Sequence, residues 1–327
     1  MNIQMPILLE DYLNYMETIR GKSPNTIQAY QYDLVLFLRY MKIRFKKAEK
    51  EIPFDQINIY DIDKEFIQRI KLNDLYAFLS FVAKKRENGQ YARARKVACL
   101  RSFFKYLYNK VKIIKENPTL ELESPKTYSR HPVYLQLQEA KELIQSIDGI
   151  HKDRDKAIIT LFLNCGLRLS ELTNIKLDDI QGDTLKVIGK GDKERTVYLN
   201  NACLKAIKKY LEVRPTEGIK DPDSLFLSQQ KRQISQRTVQ HLVKTHLKKA
   251  GLSRDKFSVH KLRHTAATLM YQYGHVDIRA LQQILGHENI STTQIYTHVN
   301  DEQLRQASQK NPLANFSDDK EDGTYGA

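Results

Sequence analysis

Apolar residues recur at three- and four-residue intervals along most of the chain, the spacing that gathers them on one face of an α-helix. Ser23-Pro24 reads as an N-cap followed by a first-turn proline, and Ile27, Tyr30, Leu34, Leu38 and Met41 keep helical spacing after it. Further helices are predicted over roughly 72–87 and 90–109. In the latter, Val97, Leu100, Phe103, Phe104 and Leu107 form an apolar stripe, with Arg95, Arg101 and Lys105 on the other side. One stretch departs from this period. Thr184–Ile188 and Arg195–Leu199 flank Gly189-Lys190-Gly191-Asp192-Lys193-Glu194, which predicts a β-hairpin with a glycine-bearing, charged tip. Helices are expected again near 200–213, 235–249, 258–273 and 276–285, with a short last one near 301–310. Gly286 sits where a helix C-terminus needs a left-handed residue, so His287 starts a turn.

The pattern gives a mainly α protein in two parts. Three of the nine prolines, Pro118, Pro125 and Pro132, bracket a polar run and predict an extended linker over 117–132. It separates an all-helical domain (1–116) from a second domain (133–316), which an acidic tail (317–327) follows. The formal net charge of +14 favours a polyanionic partner, nucleic acid first. Both parts share the surplus: residues 1–125 hold 22 basic and 15 acidic side chains, the rest 31 and 24. That excludes a neutral enzyme with a basic tail. The three cysteines, Cys99, Cys165 and Cys203, lack the spacing of a disulfide framework or a zinc site. With neither a signal-peptide pattern nor an apolar run long enough to span a bilayer, the expectation is a reduced, cytoplasmic protein.

The candidate chemistry lies in the second part. In the helix at 258–273, Leu262, Ala266, Leu269 and Tyr273 are the expected buried stripe. His260 and Arg263 point away from it, and Ala267 continues their side with room for a large ligand. Gly166-Leu167-Arg168-Leu169-Ser170-Glu171 places Arg168 at the opening of a short helix, where backbone N–H groups favour an anion and Glu171 can hold a cation. Two arginines can each grip phosphate oxygens as a fork, which lysine cannot. They stabilise charge on the non-bridging oxygens of a phosphorane-like transition state, and His287 can donate another hydrogen bond. Tyr296 is the candidate nucleophile. A phenol has a reference pKa near 10, so a base must take its proton, and His260 is the expected one. Lys190 at the hairpin tip, with Lys193 as its rival, can protonate the leaving 5′-oxygen. No metal or other cofactor is required. For DNA contact the candidates are Arg95, Arg101 and Lys105 in the first part, and Arg237 and Lys244 with Gln233, Gln236 and Gln240 on the helix at 235–249.

The runs Gly166–Leu172, Gly189–Arg195, Val259–His264 and Leu285–His298 resemble the tyrosine recombinases, and within them the Xer-type chromosomal recombinases. Ser23-Pro24-Asn25-Thr26 resembles the start of that family's N-terminal domain. The resemblance implies a helical core-binding (SAM-like) domain and a tyrosine-recombinase catalytic domain clamped on duplex DNA. It implies catalytic roles for Arg168, Lys190, His260, Arg263 and His287, with Tyr296 as nucleophile through a 3′-phosphotyrosyl intermediate. Four protomers, of one kind or with a paralogue, would synapse two DNA sites, each last helix docking on a neighbour. The basic stretch near 42–53 and the acidic tail are departures, and a recombinase borne on a mobile element would look much the same. A type IB-like topoisomerase shares the chemistry. A catalytically silent architectural DNA-binding protein would have lost Tyr296, Arg168 or Arg263, and a metal-dependent nuclease would need a carboxylate cluster.

Overall fold

The structure is a computed structural model and describes residues 4–48, 51–126, 133–189, 192–252, 257–274, 276–287 and 289–296. The chain divides after Ser129 into two compact units. Lys190, the predicted helix near 301–310 and the acidic tail lie outside the described residues.

The first unit is helical: α1 (Ile7–Thr18), α2 (Pro24–Arg44), α3 (Lys64–Gln68), α4 (Leu72–Lys84) and α5 (Gln90–Tyr106), the last continued by a π turn over Leu107–Val111. Ser23 caps α2 from extended backbone and Pro24 opens the helix, as the sequence predicted. The core is aromatic-rich: Phe37 meets Phe78 edge-on at 5.1 Å, and the buried Tyr12 hydroxyl reaches Ser102 at 2.7 Å. Lys42 and Arg44, part of the basic stretch, are tied to Asp61 and Asp74. Leu122 is fully buried in this core and its carbonyl accepts from Arg101, so the first unit extends past the predicted start of the linker at 117.

The second unit is built on α6 (Leu137–Gln145), α7 (Lys152–Cys165), α8 (Leu169–Thr173), a small sheet, α9 (Asn201–Val213), α10 (Gln236–Lys249), α11 (Val259–Gly274), α12 (Ile278–Leu285) and the short α13 (Ser291–Gln294). Helix α7 carries Ile158, Ile159, Leu161 and Phe162, all fully buried, and packs against α9 and α11. The predicted hairpin is β2 (Thr184–Ile188) and β3 (Glu194–Tyr198), with Leu185 opposite Val197 and Val187 opposite Arg195. A two-residue strand, β1 (Ile180–Gln181), pairs antiparallel with β2. Leu185, Val187 and Val197 face the core, as alternation demands. Cys165 and Cys203 are free thiols buried there, their sulfurs 3.7 Å apart.

Candidate active site

The site is organised around one buried carboxylate and the C-terminal end of one helix. Glu171, in the first turn of α8, is inaccessible to solvent. It accepts the Arg168 backbone N–H at 2.8 Å, the Arg168 guanidinium at 2.6 Å and the Arg195 guanidinium at 2.8 Å, and Arg263 lies 3.9 Å away. Burial opposes ionisation of this carboxyl, but the Arg195 charge and the Arg168 hydrogen bonds overcome it and hold the pKa below the ordinary value. The anion favoured at this helix start is therefore the protein's own Glu171.

The same three arginines finish the C-terminus of α12. A helix leaves its last carbonyls without backbone partners and its end partially negative. Here the carbonyls of Ile284, Leu285 and Gly286 accept from Arg195 (2.5 Å), Arg263 (2.6 Å) and Arg168 (2.6 Å) in turn. Arg263 also donates to the carbonyl of Gly166 at 2.7 Å, where α7 ends in a left-handed residue. Four segments are stitched together: the α7–α8 turn, β3, α11 and the end of α12. Gly286 has φ +62°, and a Cβ there would sit 2.8 Å from Arg195 Cδ and 3.5 Å from an Arg168 nitrogen. Gly286→Ala is accordingly expected to displace the Arg195 side chain and lower DNA cleavage at least tenfold, as a displacement of about 1 Å at a positioned group does. Single-turnover cleavage checks this, and an unchanged rate would contradict it.

Tyr296 is only 4 % exposed and packs with Ala267, Leu281 and Leu285. Its hydroxyl lies 2.8 Å from Nδ1 of His264. Burial pushes the phenol up to about 12, against a smaller opposing pull from the Arg263 charge. His264 is lowered to about 4 by burial and then by the surrounding cationic groups, so it is neutral at pH 7, and in the tautomer with hydrogen on Nε2 its Nδ1 accepts the phenolic hydrogen. Rings extend on both sides: His260 meets His264 edge-on at 4.5 Å, and His287 lies parallel to Tyr296 at 6.4 Å. His287, held at Nδ1 by Thr293 at 3.0 Å, is likewise lowered to about 4 by burial and by Arg263 and Arg168. The ring of His260 faces solvent; partial desolvation and the charges of Arg263, Lys261 and Arg168 hold it below its ordinary value. A cleft of about 420 Å³ opens beside these groups, lined by Arg168, Gly189, Lys193, Arg195, His287 and Thr292.

These depressed histidines set the acid stability. The ordinary imidazole value of 6.5 applies to the unfolded chain, which takes up protons that folded His264 and His287 refuse until about pH 4. Stability is thus complete above pH 6.5 and declines as pH falls toward 4. Glu171, depressed in the carboxylate sense, adds its loss below about 4.5. The melting temperature is expected to drop through this window, and less steeply in a His264→Gln/His287→Gln double variant. A flat profile between pH 7 and 4.5 would contradict it.

Arg168, Arg263, His287 and Tyr296 therefore gather around the end of α12, with His260 at the margin. Two expectations about α11 are corrected. Arg263, expected to point away from the buried stripe, is itself only 3 % exposed, while Tyr273, expected in that stripe, is 57 % exposed. Leu262 and Ala266 of the stripe are fully buried as expected; the buried face is wider because α12 and Tyr296 cover the Arg263 side, and the space above Ala267 holds the Tyr296 ring instead of a ligand. Sequence reasoning missed Arg195 and the role of His264, although both lie in quoted runs. Their signals were an arginine on a short strand beside the charged tip and a histidine adjoining His-x-x-Arg. Of the DNA candidates, Arg95 is paired with Asp33 at 2.6 Å and Arg101 with the Leu122 carbonyl, while Lys105, Arg237 and Lys244 are exposed. The Gln233 amide donates to the Thr173 carbonyl and to Asn174.

Residues 134–303 match the phage integrase family and residues 9–60 the SAM-like N-terminal domain of phage integrases. The chain belongs to this family, the tyrosine recombinases, and is a DNA strand-cleaving and rejoining enzyme of the Xer-like kind. It is 62% identical to the tyrosine recombinase XerC of Caldanaerobacter subterraneus subsp. tengcongensis over 312 residues, 95% of this chain and 88% of that one. It is 34% identical to the tyrosine recombinase XerD of Listeria monocytogenes (strain EGD-e), over 89% of this chain and 94% of the relative. A crystal structure of the XerH site-specific recombinase bound to its difH substrate before cleavage matches with a TM-score of 0.66 at 25% identity, over 92% and 84% of the two chains.

Proposed function

We propose that the chain exchanges strands between two duplex DNA sites through a 3′-phosphotyrosyl intermediate on Tyr296. The observation that carries this is the convergence of Tyr296, Arg263, Arg168 and His287 at the end of α12, with Glu171 fixing the guanidinium groups. The scissile phosphate enters beside Arg168 and His287. The arginines and imidazoles hold its non-bridging oxygens, where negative charge grows as the phenolic oxygen attacks. The 5′-oxygen departs with a proton from the hairpin tip, from Lys190 or from Lys193 in the cleft. A partner strand's 5′-hydroxyl then reverses the bond, so one phosphodiester replaces another and no ATP or metal is consumed.

The assembly in this reading is a tetramer on two sites, of one recombinase or of two related ones, acting in the cytoplasm on the chromosome as in dimer resolution. The test has two stages. DNA crosslinked to the protein in its host is recovered and sequenced, and two copies of the recovered site are placed on a supercoiled plasmid in excess EDTA. Exchange products of defined topology are expected from sites of the chromosomal terminus region. Relaxation without exchange, or a strict metal requirement, would overturn the reading; recovered ends of a mobile element would move the role to transposition.

A further inference from the structure

We propose that His264, through Nδ1, takes the phenolic proton of Tyr296 as that oxygen attacks phosphorus. The inference rests on Tyr296 being the nucleophile and deepens that assignment by naming its proton acceptor. His260 was the base expected from sequence, but the ring bonded to the hydroxyl, at 2.8 Å, is that of His264. That distance is within the reach required of a general base. The imidazole is held one turn beyond His260 on α11, with its ring edge-on to that histidine. It is 8 % exposed, so bulk water does not compete for Nδ1.

The groups that face it explain why the ring stays neutral, which leaves Nδ1 open as an acceptor in the tautomer with its hydrogen on Nε2. Lys261 and Arg263 come from its own helix with His260, and His287 comes from the turn after α12; all disfavour an imidazolium there. The Tyr296 phenol is the group bonded to it from the turn after α13. At rest the proton stays on the phenol, which holds it far more tightly than this imidazole does. As the bond from the phenolic oxygen to phosphorus forms, that oxygen loses its hold on hydrogen, and transfer becomes favourable only in the transition state. In the balanced step the O–H bond of Tyr296 breaks and its proton moves to Nδ1. The oxygen–phosphorus bond forms, the bond from phosphorus to the 5′-oxygen breaks, and that oxygen receives its proton from the hairpin lysine. His264 returns its proton to the phenolic oxygen when the partner strand reverses the bond.

The test is single-turnover formation of the covalent adduct on a nicked duplex by the full chain, comparing wild type, His264→Asn and His264→Phe across pH. Asparagine keeps an oxygen that accepts the hydroxyl hydrogen bond but cannot take its proton, which separates base from brace. Both variants are expected to lose about 10²–10⁴-fold in rate with DNA affinity unchanged. Their rates should climb about tenfold per pH unit into the alkaline range, as the phenol ionises unaided, while wild type levels off. A His264→Asn rate within about threefold of wild type, or faster than it, would overturn the proposal and leave Tyr296 as nucleophile. If His264→Phe fails to fold, as its melting curve would reveal, the asparagine variant decides alone. An adduct that survives Tyr296→Phe would instead overturn the nucleophile assignment and this inference with it.

Discussion

Glu171→Gln is expected to cost about 3–5 kcal/mol of folding stability and to lower DNA cleavage more than tenfold, because it strips the shared counter-ion from a group of buried cations. Arg195 and Arg263 lie largely out of solvent and Arg168 only partly in it, and Glu171 is the carboxylate beside all three. Glutamine fills the same space and still accepts hydrogen bonds, so packing is retained while the charge is lost. The uncompensated guanidinium groups then repel one another and loosen from the α12 carbonyls. Chemical denaturation measures the first effect and single-turnover cleavage the second. A variant within about 1 kcal/mol of wild type and equally active would show that the carboxylate is not the hub described.

The second large effect is expected from Arg168→Lys and Arg263→Lys, each losing about 10²–10³-fold in cleavage rate with little change in DNA affinity. Each arginine uses two nitrogens to grip the scaffold. Arg263 spans the Gly166 and Leu285 carbonyls, and Arg168 spans Glu171 and the Gly286 carbonyl. An ammonium keeps the charge but cannot hold two fixed partners and still present a planar edge to phosphate. Because both arginines act through the same transition-state charge, the double variant should lose less than the product of the single losses. A lysine variant that cleaves at the wild-type rate would mean that charge alone suffices. A loss appearing only as weaker DNA binding would place that arginine in substrate binding.

Much of this architecture was legible in the sequence because its signals are local. The helix after Ser23-Pro24, the hairpin around the Gly-Lys-Gly tip and the left-handed Gly286 each follow from short-range preferences. What could not be read was set by packing at long range. The buried face of α11 is widened by α12 and Tyr296 covering a second side of it, so periodicity alone pointed Arg263 away from the buried stripe and put Tyr273 in it. Arg195 looked like one more charge beside a basic tip, and only the approach of β3 to the end of α12 makes it a brace. His264 was hidden by its neighbours, since His-x-x-Arg drew attention to His260 while the phenol went to the next turn. Leu122 sits among prolines that suggest a linker, yet its side chain belongs to the first core.

The central claim is that one phenol among eighteen, that of Tyr296, forms the covalent bond to DNA. The most direct measurement traps the complex on a nicked site in EDTA, digests protein and DNA, and identifies the tyrosine that carries the nucleotide. A 3′-linked nucleotide on Tyr296, with no adduct from Tyr296→Phe, is the predicted result. A nucleotide on any other tyrosine, or attachment through a 5′-phosphate, would contradict the account.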